Sequence, residues 1–225
     1  MKIKFAVTSC VFFVVLFFSC AGQNNAFVPV PDFDVFVSEQ KFDIDNIIET
    51  KNGSSAAGSL PEWLLAFAEG GIKLVEQLES FRDKYVFVAA NEGENFIALN
   101  KWAENFTAVY DLAILAAIRI EERMILNASL YPDYEYGLFY ENLMKIAYGT
   151  EYRDAVKEGF FWFKRRPARD EAPEIFNFFI LLTIDKNTMQ SIIRNMMAQA
   201  SAAAPSSRAQ GTSINRLRQA FFEDF

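Results

Sequence analysis

Hydrophobic positions along this 225-residue chain fall into helical and strand-like periods that alternate. Leu99, Trp102, Phe106, Val109, Ala113, Ala116, Ile120 and Met124 recur every three or four residues, which predicts one long amphipathic helix over about 96–126. Its small residues Ala113, Ala116 and Ala117 would let a neighbouring sheet or helix approach closely, and Glu121, Glu122 and Arg123 mark its wet end. Trp63, Phe67, Ile72, Val75, Leu78 and Phe81 carry the same period, interrupted at Gly70-Gly71, where a bend is expected. A short helix is predicted over Leu138–Ala147. Met189, Ile192, Ile193, Met196 and Met197 predict another over about 186–198, with Asp185 as its cap.

Between these helical segments lie runs rich in aromatic and branched residues, which predict strands near 85–90, 155–164 and 175–184. Asn91–Asn95 reads as a turn that caps the long helix. The charged stretch Arg165–Glu174 reads as a hairpin loop. The fold class is therefore α+β: a small sheet packed against the long central helix and the 186–198 helix.

Composition divides the chain further. Residues 59–199 form the α+β domain, opening at Ser59-Leu60-Pro61-Glu62, where Ser59 and Glu62 have capping-box spacing and proline suits a first helical turn. Residues 20–58 read as a tether, polar at Ala21–Asn25 and small at Lys51–Gly58. Within it, Phe27–Val37 alternates apolar residues with acids and prolines. That pattern fits a strap on the domain's own sheet or a strand donated to a partner. Residues 200–225 read as a flexible tail. Ser201–Ser213 is small and polar, and a short amphipathic helix follows with Ile214, Leu217, Ala220, Phe221 and Phe225. Two readings of that helix stand: a tail docked on its own domain, or a detachable partner helix.

Residues 1–19 have the parts of a secretory signal: Lys2 and Lys4, a mostly apolar run from Phe5 to Phe18, and a small residue, Ser19, before Cys20. The run is too short for a bilayer core that takes about 20 residues to cross. The pattern resembles a bacterial lipoprotein signal cut between Ser19 and Cys20, with Cys20 acylated; Phe17 stands where leucine is usual. Cys10 lies in the segment to be removed, so Cys20 would have no internal disulfide partner. Palmitate and related chains on Cys20, at about 0.8 kcal/mol per buried methylene, would hold the domain at a membrane without a spanning helix.

Loss of Lys2 and Lys4, with no acid removed, takes the formal charge from −7 to −9. So acidic a chain is a poor partner for nucleic-acid phosphates. The absence of histidine excludes Ser-His-Asp triads and most zinc sites, and no metal or cofactor is expected. Ser38-Glu39-Gln40-Lys41 has a serine-lysine acylase spacing but lacks companion motifs. Asp43 and Asp45 match only the first two ligands of a calcium loop. Asp133 with Glu135, and Glu151 with Asp154, have the residue types of a glycosidase pair but read as wet loop charge. Phe160-Phe161-Trp162-Phe163, followed by Lys164, Arg165 and Arg166, is the most unusual run. It fits a half-buried strand, or an aromatic contact surface for membrane or partner through Phe160 and Trp162. Leu217 and Phe221 are the corresponding candidates in the C-terminal helix.

The order of Pro61-Glu62-Trp63-Leu64, Tyr85-Val86-Phe87-Val88, an alanine-bearing helix, and Phe176–Ile184 leading into Asp185-Lys186 resembles a bacterial family. It is similar to the small outer-membrane lipoproteins named after the twenty-kilodalton Helicobacter antigen, over about residues 61–199. The resemblance implies a non-enzymatic, outer-membrane-anchored α+β domain on the periplasmic face or the cell surface, with an envelope protein as partner. The expected function is a lipid-anchored structural or interaction module. A carboxylate-based envelope glycan hydrolase and a carrier of an apolar ligand are the alternatives.

Overall fold

Strand β4, Ile175–Asp185, is apolar at almost every position and is buried from Asn177 through Ile184. A strand with no wet face needs cover on both sides, and the fold is built around supplying it. The computed structural model describes residues 44, 46–53, 60–130, 137–166, 173–203 and 208–222, excluding the side chains of 127–130, 208–210, 213, 216, 217 and 220. Residues 1–43, including the signal and the Phe27–Val37 segment, lie outside the described residues.

Beside β4 lie β2, Lys84–Gly93, on one edge and β3, Val156–Arg165, on the other; a four-residue strand β1, Ile47–Thr50, pairs with β3. All pairings are antiparallel and the order is β1-β3-β4-β2. The α+β fold class and the three expected strands are present: β2 runs four residues longer than the sequence predicts, β3 is displaced by one residue at the same length, and β4 is longer by one. β1 corrects the tether boundary: Ile47 and Thr50 are buried, and the sheet begins inside the 20–58 segment read as a tether. Four residues are too few to show a period.

Side chains of the strands alternate between two cores. Val86, Val88, Phe161, Phe163, Phe179 and Leu181 face helix α1, Glu62–Val75, with Leu60, Leu64 and Phe67 packed on them. The expected bend is at Gly71, whose φ of 67° favours glycine. Pro61, not Ser59, takes the N-cap place of α1 and makes no side-chain cap, so the capping-box register does not hold.

On the opposite face Tyr85, Phe87, Phe178, Ile180, Leu182 and Ile184 meet a layer of helices: α2, Phe96–Asn105; α3, Ala108–Leu130; α4, Gly137–Tyr148; α5, Lys186–Ala203; and α6, Arg208–Phe221. The single helix expected over 96–126 is two, broken at Phe106-Thr107. Asn95 caps α2 by accepting the Ala98 N–H at 3.1 Å, and Asp185 caps α5 by accepting the Thr188 N–H at 2.9 Å.

The C-terminal region also departs from the expected flexible tail. α5 runs on to Ala203, and α6 begins at Arg208, inside the stretch read as disordered. Ile214 and Phe221, seven positions apart and so on one side of a helix, are buried in the larger core. Arg218 fastens the helix by donating to the Met197 carbonyl at 3.0 Å and to Ser201 Oγ at 2.8 Å.

One ion pair joins the two faces around the free edge of β2. Arg119 of α3 meets Glu76, at the end of α1, at 3.0 Å, with only 16% and 14% of the two side chains exposed. Glu76 Oε1 also accepts the Val86 N–H, while Arg119 donates to the Val86 carbonyl at 3.3 Å. The guanidinium sits 5.0 Å from the Tyr85 ring centre. Both outward backbone groups of Val86 are thereby occupied, which blunts a sheet edge that would otherwise offer them to another strand.

Candidate functional site

The break between α2 and α3 makes a partly open, largely apolar concavity lined by described residues. Phe106 leaves the helix with an extended ψ of 124°. Thr107 then turns the chain: Asp111 accepts its N–H at 2.5 Å and its hydroxyl at 3.1 Å. Lys157 of β3 closes the end of α2 by donating to the carbonyls of Ala103 and Phe106, at 2.5 and 2.9 Å, where the helix dipole favours a cation. Burial pushes the Lys157 ammonium below the usual lysine range, against the pull of Asp111 and Glu104.

With the elbow held in this way, the two helices form a groove of about 470 Å³. Trp102, Phe106, Ile114 and Leu115 are its apolar lining, and Lys101 and Asn105 stand exposed on its rim. Trp102 and Phe106 meet edge to face at 5.5 Å. Beside the groove, Ile97 of α2 is 78% exposed and Tyr110 of α3 is 64% exposed, the most exposed large apolar side chains described. Asp111 is spent on Thr107, whereas Lys101 has no ion-pair partner among the described residues. A second concavity, beside β3 and α1, is lined by Trp63, Phe81 and Phe161, but Lys51 lies across it, donating to the Phe160 carbonyl at 2.9 Å and sitting 3.8 Å over the Phe160 ring.

The residues singled out from sequence are dispersed. Ser19 and Cys20 lie outside the described residues, as do Ser38–Lys41, Asp43, Asp45, Asp133 and Glu135. Glu151 pairs with Arg153 at the surface, 3.0 Å away, and so does not form a catalytic pair with Asp154. Phe160 and Trp162 are half-buried against the helical layer: Trp162 packs edge to face on Phe96 at 5.1 Å, and both stack on Phe178. The cations after them are engaged, Lys164 and Arg166 with Glu174 and Arg165 with Glu92. Those bonds hold the Glu174 carboxyl below the usual range. Phe221 is wholly buried and offers no surface; the side chain of Leu217 is not among those described.

Sequence reading missed the groove because Leu99, Trp102, Phe106 and Val109 keep helical spacing straight through the break. The usable signal was Thr107 with Asp111, a hydroxyl and a carboxylate able to start a new helix. Among the described residues no group of three acids or thiols is arranged to hold a metal, and no helix is long and apolar enough to cross a membrane. No family model matches the chain, and neither a characterised protein nor a solved structure shows significant similarity to it.

Proposed function

We propose that this protein is a lipid-anchored component of a bacterial envelope, held at the outer membrane through an acylated Cys20, where it acts as a non-catalytic structural or interaction module. The observation that carries the reading is the N-terminal pattern: two lysines, a short apolar run, then Ser19-Cys20. The architecture is compatible with that role. Its two cores are filled by side chains, Glu151 pairs with Arg153 and Glu174 with Lys164 and Arg166, and exposed apolar side chains are spread over its surface, Ile97 and Tyr110 the most exposed among the described residues. The resemblance of its element order, as read from the sequence, to that of the small outer-membrane lipoproteins supports the same placement.

Metabolic labelling with an alkyne-bearing palmitate tests the anchor. Label should appear on the chain and vanish in Cys20→Ala, with the protein leaving the membrane fraction. Label that persists in Cys20→Ala, or never appears, would overturn the reading. In-cell crosslinking then tests the module: a reproducible set of envelope proteins should be captured by the anchored chain and lost with Cys20→Ala.

A further inference from the structure

We infer that the α2–α3 elbow is a binding site for a single-chain carboxylate amphiphile, a fatty acid, with its chain between Trp102, Phe106, Ile114 and Leu115 and its carboxylate at Lys101. The reasoning starts from size. A groove of about 470 Å³ lies within the roughly 300–1,000 Å³ typical of small-molecule sites, which pair apolar walls with a few polar groups. A partner helix fits poorly. At about 10 Å across and 5.4 Å per turn, one turn alone occupies roughly 400 Å³, so the groove would take little more than that.

Charge then selects the head group. The chain is acidic overall, and Asp111 keeps its charge on the lining while its Oδ2 accepts from Thr107, yet Lys101 on the rim has no ion-pair partner among the described residues, so a head-group carboxylate has a cation to meet there. Asn105, also exposed at the rim, adds an amide donor. An anionic head on an apolar tail meets both features. The tail finds Trp102 and Phe106 already locked against each other and the elbow braced by Lys157, so little ordering is left for binding to impose. Ile97 and Tyr110, exposed beside the groove, give a longer chain further apolar surface. Binding in the groove does not require Cys20 to be acylated.

Bromine quenches indole fluorescence only at close range, and the three tryptophans occupy different places: Trp63 faces the α1 core, Trp162 the centre of the helical face, and Trp102 the groove. The full chain carrying Cys20→Ala is titrated with 9,10-dibromostearate below its micelle concentration. Quenching should saturate at one ligand per chain and disappear in Trp102→Phe. Ile114→Glu, which puts a charge in the groove wall, should weaken binding at least tenfold. Lys101→Glu, a surface change that leaves folding intact, should weaken it about threefold and should abolish the preference for dibromostearate over its alcohol. Quenching that never saturates, that falls equally on all three tryptophans, or that survives both Ile114→Glu and Lys101→Glu would overturn the site. So would a photocrosslinker at position 114 that captures a protein in intact cells while dibromostearate fails to compete. None of these outcomes bears on palmitate labelling of Cys20, so the two ideas fail separately.

Discussion

The two faces of the sheet use the same strands and nearly the same side chains, yet they are covered very differently. Toward the helical layer, Phe178, Ile180, Leu182 and Ile184 are shared among α2 through α6. Toward the other side, Phe179, Leu181, Phe161 and Phe163 depend on β1, Leu60 and the single bent helix α1. A strand's composition therefore tells that both faces must be dry; it does not tell how securely each is sealed. One face is closed by many mutually supporting elements and the other by a lid of fourteen residues tied to the first through Glu76 and Arg119.

The largest effect is expected in the thick layer. Phe178→Ala removes a fully buried ring that touches Phe96, Phe160 and Trp162, and should cost about 3–5 kcal/mol. Urea unfolding should show a lower midpoint with an unchanged slope, because both faces are lost together. Leu64→Ala in α1 should cost about 2–4 kcal/mol. Its distinguishing mark is hydrogen exchange: amides of α1 should open well before those of α3 and α5, whereas equal acceleration everywhere would show that the faces are not separable. Arg119→Ala cuts the strut and leaves Glu76 half-buried without its cation, for a loss of about 1–3 kcal/mol. In that variant α1 exchange should rise more than global stability falls.

The smallest effect is a gain. Tyr152 is buried in the thick layer and its hydroxyl finds no hydrogen-bond partner among the described residues, so Tyr152→Phe should stabilise by about 1 kcal/mol. Burial raises its phenol above the ordinary tyrosine range. A raised folded value means that the stability linked to this proton is present below about pH 10 and is lost as pH climbs through the folded value. Tyr140, pushed up to about 12 first by its hydrogen bond to Glu121 and then by burial, acts in the same direction. Alkaline unfolding followed by circular dichroism should therefore begin at higher pH in Tyr152→Phe than in the parent, and coincident curves would refute this account.

What could be read from the chain follows the same division. β4 was legible because an apolar run interrupted only by Asn177 and Thr183 and ending at Asp185 has few other solutions, and the bend in α1 because Gly70-Gly71 interrupts a clear period. The break at Phe106-Thr107 was not legible, since the hydrophobic period runs through it without a fault. β1 was hidden in four residues beside a polar stretch. The C-terminal half of α6 was legible as an amphipathic helix from Ile214 onward; its start at Arg208 was not, because the stretch up to Ser213 is small and polar, which also describes a disordered tail. The groove was out of reach for a further reason, because it arises from the angle between two helices and no local pattern encodes that.

The strand order has a consequence for how the chain comes to be folded. Among the described residues β2 pairs only with β4, and more than eighty positions separate Gly93 from Ile175. A chain made from its N-terminus at about 5–20 residues per second therefore waits several seconds with β2 complete and its partner not yet in existence. During that interval Tyr85–Ala90 is an apolar strand without the partner it has in the fold, and its pairing with β4 is a long-range closure. Until β4 arrives the strand is an open template for other strands, and in the finished fold Glu76 and Arg119 occupy the outward backbone groups of Val86 on the edge that β4 leaves uncovered.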